Sequence, residues 1–218
     1  MVLKLYGSAM STSRVLVTIL EKELPYELVL VDIAKGDQKT EDYKKLQPFG
    51  KVPVLDDDGF IMFESRGICK YLARKYPSGK KLVPEGDEAY GRFEQSYFAA
   101  AAETIGMELV IKPMKGLGSP DMDRVAQAEQ ELDAVLAVYN NKLATQKYIA
   151  GDELTLADLF HLPNGAALMG GKWKEVFERY PNVNNWFIGL QGRETWAKAA
   201  AEAGTILWDT GCTYFQHS

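Results

Sequence analysis

The sequence predicts an α/β domain followed by an all-α domain, and three observations carry that prediction. Strand signals are confined to the stretch before Tyr76. Pro77-Ser78-Gly79 and Pro84-Glu85-Gly86 then punctuate a linker, since both residue types break regular structure. Beyond it the apolar residues recur at three and four, the period of an amphipathic helix. The first domain is accordingly placed at residues 1–82 and the second at 88–218.

Val2 to Tyr6 alternates as a strand does, and Gly7 to Ser13 reads as a polar loop. Val15 to Lys22 has helical spacing and stops before Pro25. Tyr26 to Ile33, with Leu28 to Val31 continuous, reads as a strand buried on both faces. Strand, helix and strand in so short a span make a βαβ unit with parallel strands. A short helix over Thr40 to Leu46 follows. Val52 to Leu55 and Phe60 to Phe63 pair as a hairpin about Asp57-Asp58-Gly59, where Gly supplies the positive φ of a tight turn. A helix over Ser65 to Tyr76 closes the domain. The order β-α-β-α-β-β-α is that of a thioredoxin-like domain.

In the second domain, Tyr90, Phe93, Tyr97, Ala101, Ile105 and Leu109 predict one long helix. Val125, Ala128, Leu132, Val135, Tyr139 and Leu143 predict another. Gly151 to Asp158 is more informative. Thr155 can cap a helix whose Asp158 reaches back to the Thr155 N–H, with Leu154 and Leu159 as a hydrophobic staple. That motif serves folding, not chemistry. Helices over Trp173 to Arg179 and Val183 to Leu190 are separated by Tyr180-Pro181-Asn182.

Composition narrows the function. With 46% hydrophobic and 25% charged residues the chain can bury a sizeable core. A net charge of -5 without a basic stripe argues against nucleic acid. The two cysteines, Cys69 and Cys212, offer neither a dithiol nor a metal cluster, and Cys69 reads as a buried small hydrophobe. A reducing, cytoplasmic setting fits, and neither a signal peptide nor a membrane span is expected. His161 and His217 do not lie near a nucleophilic serine motif, so a serine hydrolase is disfavoured. His161 is expected to be structural, with Pro163 kinking its helix. Gly116-Leu117-Gly118 reads as a turn and not a phosphate loop.

The chemistry concentrates around Pro53 and Ser65. Pro53 cannot donate to a sheet ladder, so it needs an edge position or a cis bond. A cis Val52-Pro53 bond would turn the Val52 N–H and C=O outward toward an extended peptide-like ligand. Glu64-Ser65 opens a helix, whose unpaired N–H groups favour a carboxylate. Together these make a cradle for a small peptide acid.

The wording Gln-Pro-Phe-Gly-Lys-Val-Pro-Val-Leu over residues 47–55, with Glu-Ser-Arg-Gly-Ile over 64–68, resembles the cytosolic glutathione transferases, most closely their phi class in fungal or plant forms. The resemblance runs over nearly the whole chain. It implies attack of the glutathione thiolate on a small apolar electrophile, with glutathione as co-substrate, no further cofactor and no metal. Hydroperoxide reduction by the same thiolate is a side activity it allows. In that family a hydroxyl near the start of the first helix donates to the glutathione sulfur, and Ser11 stands at the matching distance from the first strand. The loop is shorter than the phi pattern, so counting back from Arg14-Val15 lands on Ala9, and Ser8, Thr12 and Ser13 stay as alternatives. Serine at Ser11 could instead serve as a helix cap. The resemblance further assigns Glu64 and Ser65 to the γ-glutamyl end, Val52 beside Pro53 to the cysteinyl unit and Lys51 to the glycyl carboxylate, with Gln38 and Lys39 as further glutathione contacts. Gln38 stands where the pattern more often has histidine, and Lys51 where it often has glutamine. Met10, Met107, Ile111 and Met114 are the implied electrophile lining, between the domains. A homodimer is implied, with Phe49 inserted into the partner and Arg66, Tyr90, Phe93 and Tyr97 nearby. A non-catalytic ligand-binding or regulatory protein of the same fold is the rival reading.

Overall fold

The computed structural model describes residues 2–95, 98–170 and 173–204, with the Met114 side chain excepted; Tyr97, Cys212 and His217 lie outside the described residues. Two compact units form, one joining the chain up to Gly86 with the stretch from Gln191, the other running from Asp87 to Leu190.

The first unit runs β1 (Leu3–Gly7), α1 (Ala9–Glu21), β2 (Tyr26–Leu30), a 3₁₀ turn (Asp37–Lys39), α2 (Glu41–Leu46), β3 (Val54–Asp57), β4 (Phe60–Phe63) and α3 (Ser65–Lys75). The sheet order is β2-β1-β3-β4, parallel between β1 and β2 and antiparallel elsewhere, as a thioredoxin-like domain requires. Asp58 and Gly59 both take positive φ (56° and 89°), matching the two-residue hairpin turn between β3 and β4. Val31, Tyr43 and Val54 are buried together, with Tyr6, Leu46 and Val52 packed on them, so α2 covers that sheet face. Leu5 and Leu55, one residue on from Tyr6 and Val54 in register, fall by period two on the opposite face and are fully buried.

Two expectations for this unit are corrected. The stretch before Ser13 is not a loop, because α1 already begins at Ala9, with Ser8 and not Ser11 at its N-cap. Nor is β2 buried on both faces. It is the sheet's outer strand, and Leu30 is 66% exposed; a continuous apolar run does not distinguish an edge strand from a central one.

The second unit runs α4 (Asp87–Glu94), α5 (Phe98–Gly106), a wide π turn (Met107–Ile111), α6 (Lys112–Met114), α7 (Met122–Leu143), α8 (Leu156–Leu159), α9 (Leu162–Met169), α10 (Lys174–Glu178) and α11 (Pro181–Gln191). The single helix expected from Tyr90 to Leu109 is therefore not uniform. It divides after Glu94, Gln95 being non-helical, into α4 and α5, and the helix then widens at Met107. Thr155 and Asp158 form the predicted capping box at α8. Phe98, Phe177 and Phe187 build the core, their ring centroids 5.5–6.4 Å apart. His161 is buried against Phe98, with Nδ1 at the Ala157 carbonyl and Nε2 3.3 Å from the Tyr139 hydroxyl, so it is structural as expected. Pro163 sits in the first turn of α9 and does not kink it, since no intrahelical N–H is needed there.

A last helix, α12 (Glu194–Ala203), has no counterpart in the sequence reading, which left this stretch in the second domain. It packs instead on α1 of the first unit. Arg193, at its head, donates to both carboxylate oxygens of the buried Glu21 at 2.6 and 2.8 Å, and the Thr195 hydroxyl donates to the same carboxylate.

The wide turn carries its own anchor. Glu108 is buried, accepting from Lys112 Nζ at 2.8 Å, Asp121 N–H at 3.0 Å and Arg124 Nη1 at 2.9 Å. The Lys112 hydrogen bond, then the Asp121 N–H, hold its carboxyl below the usual carboxylate range against the opposing effect of burial. A carboxylate with a depressed folded pKa stabilises the fold above its unfolded value, and that contribution disappears as pH falls through the folded value. Glu108→Gln should therefore lower the urea midpoint at pH 7, and the gap from wild type should close below about pH 4. An equal gap at both pH values would deny the carboxylate its charge-dependent role.

Candidate active site

The antiparallel register assembles the site. Tyr6 pairs with Val54, and Val54 with Phe63. The residues after Tyr6, before Val54 and after Phe63 therefore gather at one end of the sheet. These are Gly7 to Ser11, Val52-Pro53 and Glu64-Ser65, and the Val52-Pro53 peptide is cis. Gly7 sits at φ 153°, where a Cβ would collide with Thr12 Oγ1 and crowd Val52 Cβ at 3.3 Å, so only glycine permits this approach.

The four loop hydroxyls separate by direction. Thr12 and Ser13 are fully buried and donate back to the Ser8 and Met10 carbonyls, each at 2.9 Å. Ser8 keeps partial exposure but donates to the Val31 carbonyl at 2.7 Å. Ser11, also part-exposed, donates to the Val52 carbonyl at 3.2 Å and so faces the cis-proline stretch. Ala9, with φ 61°, begins α1 and has no group to offer.

Glu64 precedes α3 at φ 73°, a conformation that costs a non-glycine residue about 1–3 kcal/mol and clusters at ligand clamps. The Ile68 N–H closes the first turn of α3 on the Glu64 carbonyl at 2.9 Å. The first turn of α3 carries no acidic residue, so the partial positive charge of its N-terminus is not neutralised from within the helix. Ser65 Oγ accepts from Arg14 Nη1 of α1 at 2.9 Å, with both residues buried. Arg14 was missed in the sequence, although an arginine directly before the apolar run Val15-Leu16-Val17 is itself a signal.

A third stretch is tied in beside these. Tyr43 OH donates to the Lys51 carbonyl at 2.9 Å, and buried Gln47 Oε1 accepts the Lys51 N–H at 3.3 Å. Burial pushes the Tyr43 hydroxyl up to about 12, so it remains a donor at neutral pH. Lys39 Nζ donates to the Phe49 carbonyl at 3.1 Å. Gly50, at φ 59°, admits the close approach of this loop, for a Cβ there would lie 2.6 Å from the Gln38 carbonyl oxygen. Gln38, Lys39 and Lys51 are thereby brought to one corner. Gln38 Nε2 donates to the Ile33 carbonyl at 3.4 Å, while its Oε1 is shielded from solvent and has no hydrogen-bond partner among the described residues.

Other candidates divide. Met10 is half-buried on α1, Met107 is 46% exposed and Ile111 half-buried in the π turn, and the Met114 side chain lies outside the described residues. Phe49 is 66% exposed, touching Phe63 edge-on at 6.2 Å. Phe93 is corrected as an interface residue, because it is buried in its own unit at 3% exposure, whereas Tyr90 and Arg66 stay exposed. Cys69 is a buried free thiol pushed up to about 11 by that burial, so it is inert. Among the described residues no group of His, Cys, Asp and Glu could hold a metal, and no helix is long and apolar enough to cross a membrane.

Residues 1–74 match the family model "Glutathione S-transferase, N-terminal domain", and residues 98–194 match "Glutathione S-transferase, C-terminal domain". The chain belongs to the glutathione S-transferase family. Glutathione S-transferase hmp2 of Hypomyces subiculosus is 69% identical over 211 residues, covering 93% of this chain and all (100%) of that relative. Among solved structures, glutathione transferase F2 of Populus trichocarpa superposes with a TM-score of 0.85 at 35% identity, covering 93% of this chain and 99% of that one. Glutathione S-transferase I from maize, in complex with an atrazine glutathione conjugate, superposes with a TM-score of 0.82 at 35% identity, covering 94% and 99%. These fungal and plant transferases agree with the phi-class wording of residues 47–55 and 64–68.

Proposed function

We propose that this transferase ionises the thiol of glutathione and directs the thiolate at a small apolar electrophile. The observation that carries the reading is the Ser11 hydroxyl, 3.2 Å from the Val52 carbonyl at the same sheet end as the N-terminus of α3. Glutathione laid along Val52 would give its cysteinyl N–H to that carbonyl. The Ser11 hydrogen would then turn to the adjacent sulfur, and donation to a thiolate favours it over the thiol. Ser11 is a stabiliser in this scheme and never a covalent nucleophile. The γ-glutamyl carboxylate would meet Ser65 and the α3 N-terminus beside Glu64. The glycyl carboxylate would meet Lys39 and Lys51, with Gln38 in the same loop beside Lys39. A cytoplasmic setting accords with the free thiol of Cys69.

Glutathione-dependent turnover of an aryl halide, measured beside retention on immobilised glutathione, tests the reading. Retention without turnover would leave a binding protein. Ser65 and Glu64 are remote from the sulfur, so their contacts should serve ground and transition states alike. Ser65→Ala keeps its backbone N–H and should raise KM for glutathione by about tenfold while kcat changes little. A steep fall in kcat at saturating glutathione would reassign Ser65.

The exposed ring of Phe49 supports a homodimer, since an isologous contact would bury it twice. Sedimentation should show a dimer at micromolar concentration and Phe49→Ala should weaken it. A wild-type monomer would remove the dimer, and an intact variant dimer would remove only the role of Phe49.

A further inference from the structure

We infer that Arg14 is a positioning residue for the γ-glutamyl carboxylate, acting through Ser65. The inference rests on the glutathione reading above and adds a residue from α1 to a corner otherwise built by α3. Arg14 is only 6% exposed, and its Nη1 donates to Ser65 Oγ at 2.9 Å. Its backbone is fixed as well. The Arg14 carbonyl accepts from Thr18 Oγ1 at 3.0 Å and from Cys69 Sγ at 3.4 Å, which pins the residue between α1 and α3.

The chemistry follows from donor counting. A serine oxygen that accepts from a guanidinium still has its own hydrogen to give. Accepting from a cation also polarises that O–H and strengthens it as a donor. Arg14 therefore sets where Ser65 Oγ stands and leaves its hydrogen for a carboxylate. The buried guanidinium adds a full positive charge behind the partial charge of the α3 N-terminus, in surroundings that screen it less than water does. Arginine is suited to this because it does not lose its proton when buried. A lysine would keep the charge but not the planar fork.

A residue that only ties α1 to α3 would affect every ligand of the site alike. A residue that serves the carboxylate would not. The experiment compares two ligands by calorimetry on the full chain. One is glutathione, and the other is γ-aminobutyryl-cysteinyl-glycine, which lacks the γ-glutamyl α-carboxylate and is otherwise the same. Arg14→Met should weaken glutathione binding by about tenfold and the analogue by less than about twofold, with Arg14→Lys recovering part of the loss for glutathione. In a Ser65→Ala background, Arg14→Met should weaken glutathione by less than it does in wild type. Equal weakening of both ligands, or no weakening of either, would overturn the inference. Should Arg14→Met fail to fold, the wild-type chain labelled with ¹⁵N-arginine decides. The Arg14 guanidinium resonance, assigned through Arg14→Lys, should move with glutathione and stay with the analogue; movement with both would count against it. A wild-type chain that binds neither ligand would overturn the glutathione reading, and this inference with it.

Discussion

Removing the Ser11 hydroxyl should raise the pKa of the bound glutathione thiol by about one to two units. A hydrogen bond to a charged group is worth about 1.5–3 kcal/mol, and one pKa unit is about 1.4 kcal/mol. The donor stabilises the thiolate and not the thiol, so its loss moves the pKa upward. Turnover near neutral pH should fall by about tenfold to a hundredfold, and part of it should return as pH rises and ionises the thiol without help. Affinity for glutathione should change less than rate, since one interaction with the sulfur is lost while both carboxylate ends keep theirs.

The control variants follow from the geometry. Thr12 and Ser13 are fully buried and donate into the first turns of α1, so alanine there should cost stability and leave the thiol titration in place. Ser8 donates to the Val31 carbonyl, and Ser8→Ala should do the same. The measurement is thiolate absorbance of the bound complex against pH in all four variants. A large shift in one of the other three, with none in Ser11→Ala, would transfer the role. No shift in any would leave a backbone N–H as the donor.

What the sequence shows and what it hides divides along physical lines. The hairpin was legible because Asp58-Gly59 advertises positive φ, and the α8 cap because Thr155 and Asp158 stand at the one spacing that satisfies both orphan donors. The cradle was legible for the same local reason, a proline before one strand and a serine opening one helix. The start of α1 was hidden because Ser11, Thr12 and Ser13 look like loop residues. Thr12 and Ser13 spend their hydroxyls on carbonyls of their own helix, which removes the polarity from view. The last helix was hidden because its buried face is Trp196, Ala199, Ala200 and Ala203, a stripe with little apolar contrast. Arg14 meets Ser65 across 51 positions of sequence, a pairing that no local pattern encodes.

The largest loss of stability is expected from Asp158→Ala. Asp158 is fully buried in the capping box of α8, and its two oxygens are shared among separate stretches of chain. Oδ1 accepts the Ile149 N–H at 2.9 Å and Trp186 Nε1 at 3.1 Å. Oδ2 accepts the Thr155 N–H at 2.9 Å and the Thr155 hydroxyl at 3.1 Å. Truncation leaves three buried N–H donors without acceptors, each costing about 1–3 kcal/mol, so a total of at least about 3 kcal/mol is expected. That is a large share of the roughly 5–15 kcal/mol by which domains are stable. Burial raises the carboxyl pKa in spite of these donors, so the charge itself is not what the fold gains. The acceptors are. Asp158→Asn keeps an oxygen for Ile149 and Trp186 and gives up the acceptor of the Thr155 N–H and hydroxyl, so it should cost clearly less than alanine. Equilibrium urea unfolding followed by tryptophan emission measures both. An alanine variant within about 1 kcal/mol of wild type, or an asparagine variant as unstable as alanine, would show that the network is held by packing and not by its shared acceptor.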